Sequence, residues 1–233
     1  MNDLVQVRKN IEDINNKISE AVKKSGRKKE EITVVAVTKT FPIEAWKISI
    51  QAGLFAIAEN RVKETEIKYD SIIKGAEMEL HLIGHLQSNK VRKAVKMFDI
   101  IQTVDSIRLA KKINIIAKEN NKIQDIYIQV NSGKDPNKTG FCLEKIFENI
   151  KIISLFENLK IKGIMTIPPK LKSQEKLRNI YKKTKNIRDK VYSNIVSSCT
   201  DLSMGMTNDY NIAIEEGATH VRIGTGIFGS RKL

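Results

Sequence analysis

The stretch "ITVVAVTKTFP", residues 32–42, decides the fold. Ile32 to Val37 form a nearly continuous apolar run, rich in the β-branched residues that fit a pleated surface. A strand exposed on one face would alternate apolar and polar residues. A run without alternation predicts a strand covered on its faces, as in a parallel sheet under helices. The run ends in Lys39, an ammonium at the tip of a hydrophobic strand. Such a lysine is either a surface anchor that follows a strand or a reactive amine held in a pocket. Strand periodicity adds a condition: if Lys39 points into the interior of the sheet, Val35 and Val37 do so too, and Val34 and Ala36 face the helices.

Working outward, the same kind of short run recurs at 54–58, 80–84, 99–104, 125–131, 161–167, 201–205 and 220–224. Helix-periodic segments lie between, at 42–52, 60–74, 87–96, 105–120, 142–156, 173–195 and 208–216. A further amphipathic helix is predicted over 3–24, with Leu4, Val7, Ile11, Ile14, Ile18 and Val22 on one face. Asp105 and Thr207 stand where N-caps belong, and Gly53 and Gly217 where helices stop. Eight strands alternating with helices predict an α/β fold, a single (β/α)8 TIM barrel with an additional N-terminal helix. No GxGxxG follows the first strand, which weighs against a doubly wound dinucleotide fold. No linker or repeat divides the chain, so residues 1–233 read as one domain.

Composition narrows the class. The formal net charge is +14 in 233 residues, of which 41% are hydrophobic. Such a charge raises a nucleic-acid partner, but the lysines are scattered over helical segments among Glu and Asp, with no basic stripe interleaved with aromatics. The abundance of Lys, Ile and Asn fits a composition bias, and no nucleic-acid partner is expected. The opening "MNDLVQVRKNIEDINNKI" lacks an apolar h-region, so no signal peptide is expected. No apolar run approaches the roughly 18 residues of a membrane span. Cys142 and Cys199 form no CxxC, which fits a reducing, cytoplasmic location. His81 and His85 straddle a strand end rather than sharing a helix face, so no metal site is expected.

In a barrel of this kind the chemistry collects just after the strands. Those positions are Thr38 and Lys39; Glu59 and Asn60; Gly84 and His85; Asn131; Met165 and Thr166; Ser203 to Met206; and Arg222 to Thr225. The loops after strands 7 and 8, "SMGMTND" and "RIGTGIFG", offer hydroxyls and glycine-permitted N–H groups suited to phosphate. A desolvated lysine near another cation can form a Schiff base with a carbonyl compound. A phosphate-bearing aldehyde is therefore the natural ligand. Pyridoxal 5′-phosphate (PLP) needs a lysine, a partner at its ring nitrogen and a phosphate cradle, and Arg222 is a candidate ring partner. A class I aldolase acting on a phosphorylated sugar through Lys39 uses the same residue types.

The segments "AVTKT", "AENRVKE", "LHLIGHLQSNK", "IMTIP", "LSMGMTNDY" and "AIEEGATHVRIGTGIFG" resemble, in order and over essentially the whole chain, the pyridoxal phosphate homeostasis proteins. The resemblance implies a PLP-binding barrel similar to the N-terminal domain of alanine racemase. It implies that Lys39 carries PLP covalently as a Schiff base. Ser203, Gly224 and Thr225 match phosphate-holding positions, Arg222 matches the residue near the pyridine nitrogen, and Asn60 and Met204 match positions lining the pocket. Ala58 stands where the family has glycine, and strain of roughly 1–2 kcal/mol is expected there if that position needs positive φ. The implied role is to hold, buffer and supply PLP within the cell, with apo PLP-dependent enzymes as partners and without robust turnover. The chain is expected to be a monomer. The alternative function is a PLP-dependent amino-acid racemase or a Schiff-base aldolase; a full racemase adds a second, β-rich domain that brings a tyrosine base to the cofactor.

Overall fold

The computed structural model describes residues 4–71, 77–171 and 173–230. Among these, eight parallel strands close into a barrel in sequence order. They are β1 (Thr33–Val37), β2 (Ala56–Glu59), β3 (Glu79–Leu82), β4 (Ile100–Val104), β5 (Gln124–Gln129), β6 (Leu159–Met165), β7 (Asp201–Met206) and β8 (His220–Ile223). The barrel closes where β1 pairs with β8, Val35 opposite Arg222. Helices follow the strands on the outside: α2 (Glu44–Gln51), α3 (Val62–Tyr69), α4 (Val91–Met97), α5 (Ile107–Glu119), α6 (Ile146–Ser154), α7 (Gln174–Asn194), α8 (Tyr210–Glu215) and the short α9 (Thr225–Phe228). The N-terminal helix α1 (Leu4–Ser25) buries Val7, Ile11, Ile14 and Ile18 and packs against α8 and α9. Two side chains fasten it there: Asn10 donates to the Ile227 carbonyl at 2.8 Å, and Arg27 to the Ala218 carbonyl at 2.7 Å. The outermost residue of the predicted first helix, Asp3, and the last three of the predicted 60–74 helix lie outside the described residues.

Strand alternation sorts the side chains into two layers. Ala36, Ile57, Leu80, Leu82, Ile101, Ile126, Leu202 and Val221 belong to the main core between sheet and helices. Val35 and Val37 instead meet Ala56 and Ala58 in the lumen, with Ile83 packed against them. This is the arrangement that an inward Lys39 requires. Ala58 lies in regular strand, paired with Val37 and His81, and its φ is not positive, so the condition for strain there is not met.

The helix boundaries differ from the expected ones by a few residues. The cap of α5 is Ser106, whose hydroxyl accepts from Leu109 N, rather than Asp105. At α8 the flanking residue is Asp209 rather than Thr207. Gly53 and Gly217 do follow helix ends, with φ of 81° and 100°, the left-handed conformation that terminates helices. The barrel is regular except at three shifts of register, in β4 between Ile101 and Val104, at the β5–β6 pairing, and in β7 between Ser203 and Met206. Such bulges re-aim side chains near functional sites, and two of these three bear on the barrel mouth. Among the described residues no helix is long and apolar enough to cross a membrane.

Candidate functional site

Lys39 emerges from β1 at the barrel mouth, half-buried, and lines a cleft of about 420 Å³ together with Val37, Asn60, Ile83, Arg222, Gly224 and Thr225. Its neighbours fix the chain on both sides. Thr40 has φ of 67°, a left-handed conformation that a β-branched residue adopts only when its surroundings enforce it. Thr38 points the other way, through the wall. Its hydroxyl donates to Glu59 Oε1 at 2.7 Å, and its carbonyl accepts from Lys68 Nζ at 3.0 Å. Lys68, on α3, also bonds Glu59 Oε1 at 2.5 Å, and Trp46 Nε1, on α2, donates to the same oxygen at 2.9 Å. Glu59 is fully buried and Lys68 nearly so. The sequence placed Glu59 on the rim. The period of two carries Ala58 inward and therefore Glu59 outward, where it anchors the backbone before Lys39 from behind the wall.

Arg222 rises from β8 inside the lumen, 3% exposed. Two of its five N–H donors are committed there: Nη1 to Ser203 Oγ at 2.7 Å and Nη2 to the Thr166 carbonyl at 2.8 Å. Burial lowers its pKa to about 10, opposed by the charges of Tyr181 and Asp209. The guanidinium therefore stays charged at neutral pH.

The sides of the cleft are finished by the loops after β2, β3, β6, β7 and β8. Asn60 carries a buried Oδ1 with no hydrogen-bond partner, a state that costs free energy unless a ligand supplies a donor. The backbone behind it is pressed against Gly84: a Cβ at that glycine would lie 2.0 Å from the Asn60 carbonyl oxygen. Ile167, Pro168 and Pro169 form one apolar side. Opposite, Thr225 Oγ1 lies 3.3 Å from Thr207 Oγ1, and Gly226 N donates to the same Thr207 oxygen at 3.3 Å. A Cβ at Gly226 would intrude on Thr207 at 3.2 Å. Two hydroxyls and glycine backbone thus make a small cradle at the rim.

Five of the seven candidate residues, Lys39, Asn60, Arg222, Gly224 and Thr225, meet at this cleft. The other two do not line it. Ser203 points inward below the cleft, fully buried, with its hydroxyl shared between Arg222 and Gln102. Met204, one residue on, faces outward and packs in the core between sheet and helices. The hydroxyl that "SMGMTND" brings to Thr225 is Thr207, at the end of the β7 bulge. Sequence reading had assigned Thr207 to a helix cap. His85 Nδ1 lies 3.3 Å from Asp105 Oδ2 on the rim, and among the described residues no cluster of His, Cys, Asp and Glu could hold a metal.

Comparison with known proteins gives one consistent picture. The family described as alanine racemase, N-terminal domain, matches residues 3–232. A pyridoxal phosphate homeostasis protein of Aquifex aeolicus is 38% identical over 216 residues, covering 93% of this chain and 94% of that one. PipY of Synechococcus elongatus PCC7942, solved with PLP bound, is 31% identical with a TM-score of 0.80, covering 85% of this chain and 93% of that chain. The alanine racemase of Clostridium difficile 630 shares the fold at a TM-score of 0.75 and 20% identity, with 98% of this chain matching 60% of that one.

Proposed function

The chain belongs to the alanine racemase N-terminal-domain family, and we propose that it is a PLP-binding homeostasis protein whose cofactor site is the cleft between Lys39 and Arg222. One observation carries this reading: an amine, a buried guanidinium and a hydroxyl–glycine cradle converge on one cleft of about 420 Å³, within the usual size of cofactor sites. The residues fit the group. The unpartnered Asn60 Oδ1 offers an acceptor to a polar ring substituent, and Val37, Ile83 and Ile167 offer apolar walls to the ring. The Thr207 and Thr225 hydroxyls, with backbone N–H groups after β8, suit the phosphate. Gly224 leaves the mouth open, since a Cβ there would sit 3.2 Å from the Val37 carbonyl oxygen. When bound, PLP supplies an aldehyde that condenses reversibly with a primary amine.

The chain's own residues favour holding over turnover. Arg222 donates hydrogen bonds and cannot accept them, so as the partner of the ring nitrogen it would leave that nitrogen without a proton and weaken the electron sink on which carbanion chemistry depends. Racemisation also needs a proton donor or acceptor on each face. Lys39 can serve one. Of the candidates near the mouth, Glu59 is bonded to Lys68 behind the wall, His81 is sealed in the lumen, and His85 is turned to Asp105. This supports storage and hand-over of PLP to apo-enzymes rather than robust catalysis.

Reconstitution with PLP, borohydride reduction and peptide mass spectrometry test the assignment. The added mass is expected on the peptide containing Lys39, and a label on another lysine overturns it. The same loaded protein is expected to racemise L-alanine far below the enzyme median of about 10 s⁻¹; turnover near that value overturns the carrier reading.

A further inference from the structure

A hydrogen-bonded chain crosses the barrel lumen from its floor to Arg222. Glu79 Oε1 lies 2.7 Å from His81 Nε2, His81 Nδ1 lies 2.8 Å from Gln102 Nε2, and Ser203 Oγ donates to Gln102 Oε1 at 2.7 Å. Arg222 Nη1 then donates to Ser203 Oγ at 2.7 Å. His81, Gln102 and Ser203 are fully buried, whereas the Glu79 side chain is 49% exposed at the floor. Gln102 and Ser203 both sit at the register shifts of β4 and β7, where a bulge aims a side chain that a regular strand would place differently.

The direction of every bond in the chain follows from its two ends. Arg222 can only donate, so Ser203 accepts from it and sends its own proton to Gln102 Oε1. Gln102 therefore turns its amide N–H to His81, and His81 Nδ1 accepts. The imidazole proton is then on Nε2, donated to Glu79. The His81 hydrogen bond is the leading cause that holds the Glu79 carboxyl below its usual range. The chain is complete only while His81 is neutral. A proton arriving at Nδ1 meets the Gln102 N–H and forces the amide to turn over, which presents Ser203 with two donors and leaves its own proton without an acceptor.

We propose that Gln102 is a positioning residue for the cofactor cleft: it locks Ser203 and Arg222 in the orientation that faces bound PLP, and it makes that lock depend on His81 remaining neutral. The proposal rests on the reading of the cleft as a PLP site. Acidification then loosens PLP from within the barrel, at a distance from Lys39. Other groups share the lumen: His220, whose ring centroid lies 6.3 Å from that of His81, with Tyr127, Asp201, Asp125 and Lys162 around it. His220 is held neutral by burial over mildly acidic pH, with its pKa lowered to about 4.

Two measurements decide. In the PLP-free protein, ¹⁵N NMR of the histidine rings is expected to show His81 as the Nε2–H tautomer near pH 8; an Nδ1–H tautomer overturns the chain's polarity. In the loaded protein, PLP is expected to be held about tenfold more tightly near pH 8 than near pH 5. Gln102→Glu places a carboxylate against Nδ1, which favours a second proton on the ring, so the PLP-release midpoint is expected to move to higher pH. Ser203→Ala cuts the chain beyond Gln102 and is expected to abolish the pH-dependent release step. Release midpoints that stay with wild type in both variants overturn the proposal. Absence of PLP binding at every pH fails the cofactor reading instead, and the tautomer in the PLP-free protein still judges the chain. Circular dichroism establishes that each variant is folded.

Discussion

Lys39 and Arg222 face the same cleft but are held from opposite sides of the barrel wall. The support behind Lys39 lies outside the lumen, between sheet and helices, and is ionic: Glu59 and Lys68, joined by Trp46 and Thr38, with Glu59 Oε1 receiving three donors. The support beneath Arg222 lies inside the lumen: a single file of mostly neutral groups reaches it through Ser203, and the Thr166 carbonyl takes a second N–H. The outer array converges on one atom, so its members back one another up. The inner array is linear, so each member has one neighbour on each side and a protonatable ring near its end. An amine that must stay in register is fixed by a charge pair. A guanidinium whose hold is to be adjustable is fixed through a histidine.

The sharpest way to break this contrast is to unbalance the outer array. Glu59→Gln leaves the buried Lys68 ammonium without its counter-charge. Removing one partner of a buried pair costs about 3–5 kcal/mol, read as a lower urea midpoint at an unchanged slope. The double replacement Glu59→Leu with Lys68→Met is expected to recover a large part of that loss, because it removes both desolvation penalties. A double variant as unstable as Glu59→Gln alone would show that the array is not acting as an ion pair.

The lumen beside the inner array carries a second histidine, His220, which is expected to make stability respond to acid. His220 Nδ1 bonds Thr219, and its Nε2 meets the Tyr127 hydroxyl. Burial lowers its pKa in the fold from 6.5 to about 4. The unfolded chain therefore binds a proton that the folded chain does not, and stability falls as pH drops from about 6.5 towards 4. The loss is on the order of 3 kcal/mol over that window. His220→Gln is expected to be less stable than wild type at pH 7 but to lose less on acidification. Parallel urea midpoints from pH 7 to 4 would exclude His220 as the source.

Much of this was legible in the sequence. The unalternating run from Ile32 to Val37 implied a covered parallel strand, and alternation tied an inward Lys39 to inward Val35 and Val37, which do meet in the lumen. What escaped depends on backbone detail. Asp105 is the expected cap of α5, but Ser106 beside it is also a capping residue, and its extended backbone makes it the cap. The bulge in β7 separates the roles of Ser203 and Thr207, and no residue pattern announces a bulge. Glu59 looked like a rim residue because its strand ends there; its outward turn follows from period two once Ala58 is known to face the lumen. Gln102 did carry a signal, as a polar side chain inside the buried run "DIIQTV". Its partners on β3 and β7 are set by barrel closure, which sequence spacing does not show.

The smallest effects sharpen the comparison best, because the same chemical change can be made in both arrays. Thr38 and Ser203 each offer a hydroxyl that donates to one acceptor and accepts from one donor. In Thr38→Val, Trp46 Nε1 keeps Glu59 Oε1 at 2.9 Å and Glu59 Oε1 keeps Lys68, so no buried donor or acceptor loses its last partner. The expected cost is that of one hydrogen bond, about 1 kcal/mol. In Ser203→Ala, Gln102 Oε1 loses its donor and one Arg222 N–H loses its acceptor, both fully inside the lumen. Unsatisfied buried groups cost about 1–3 kcal/mol each, and more when charged, so Ser203→Ala is expected to destabilise by about twice as much or more. Denaturant unfolding of the two variants side by side at pH 8 measures the difference directly. Equal losses would mean that the linear array has slack, either through water or through a rearranged Gln102, and the distinction between a convergent and a single-file support would fall.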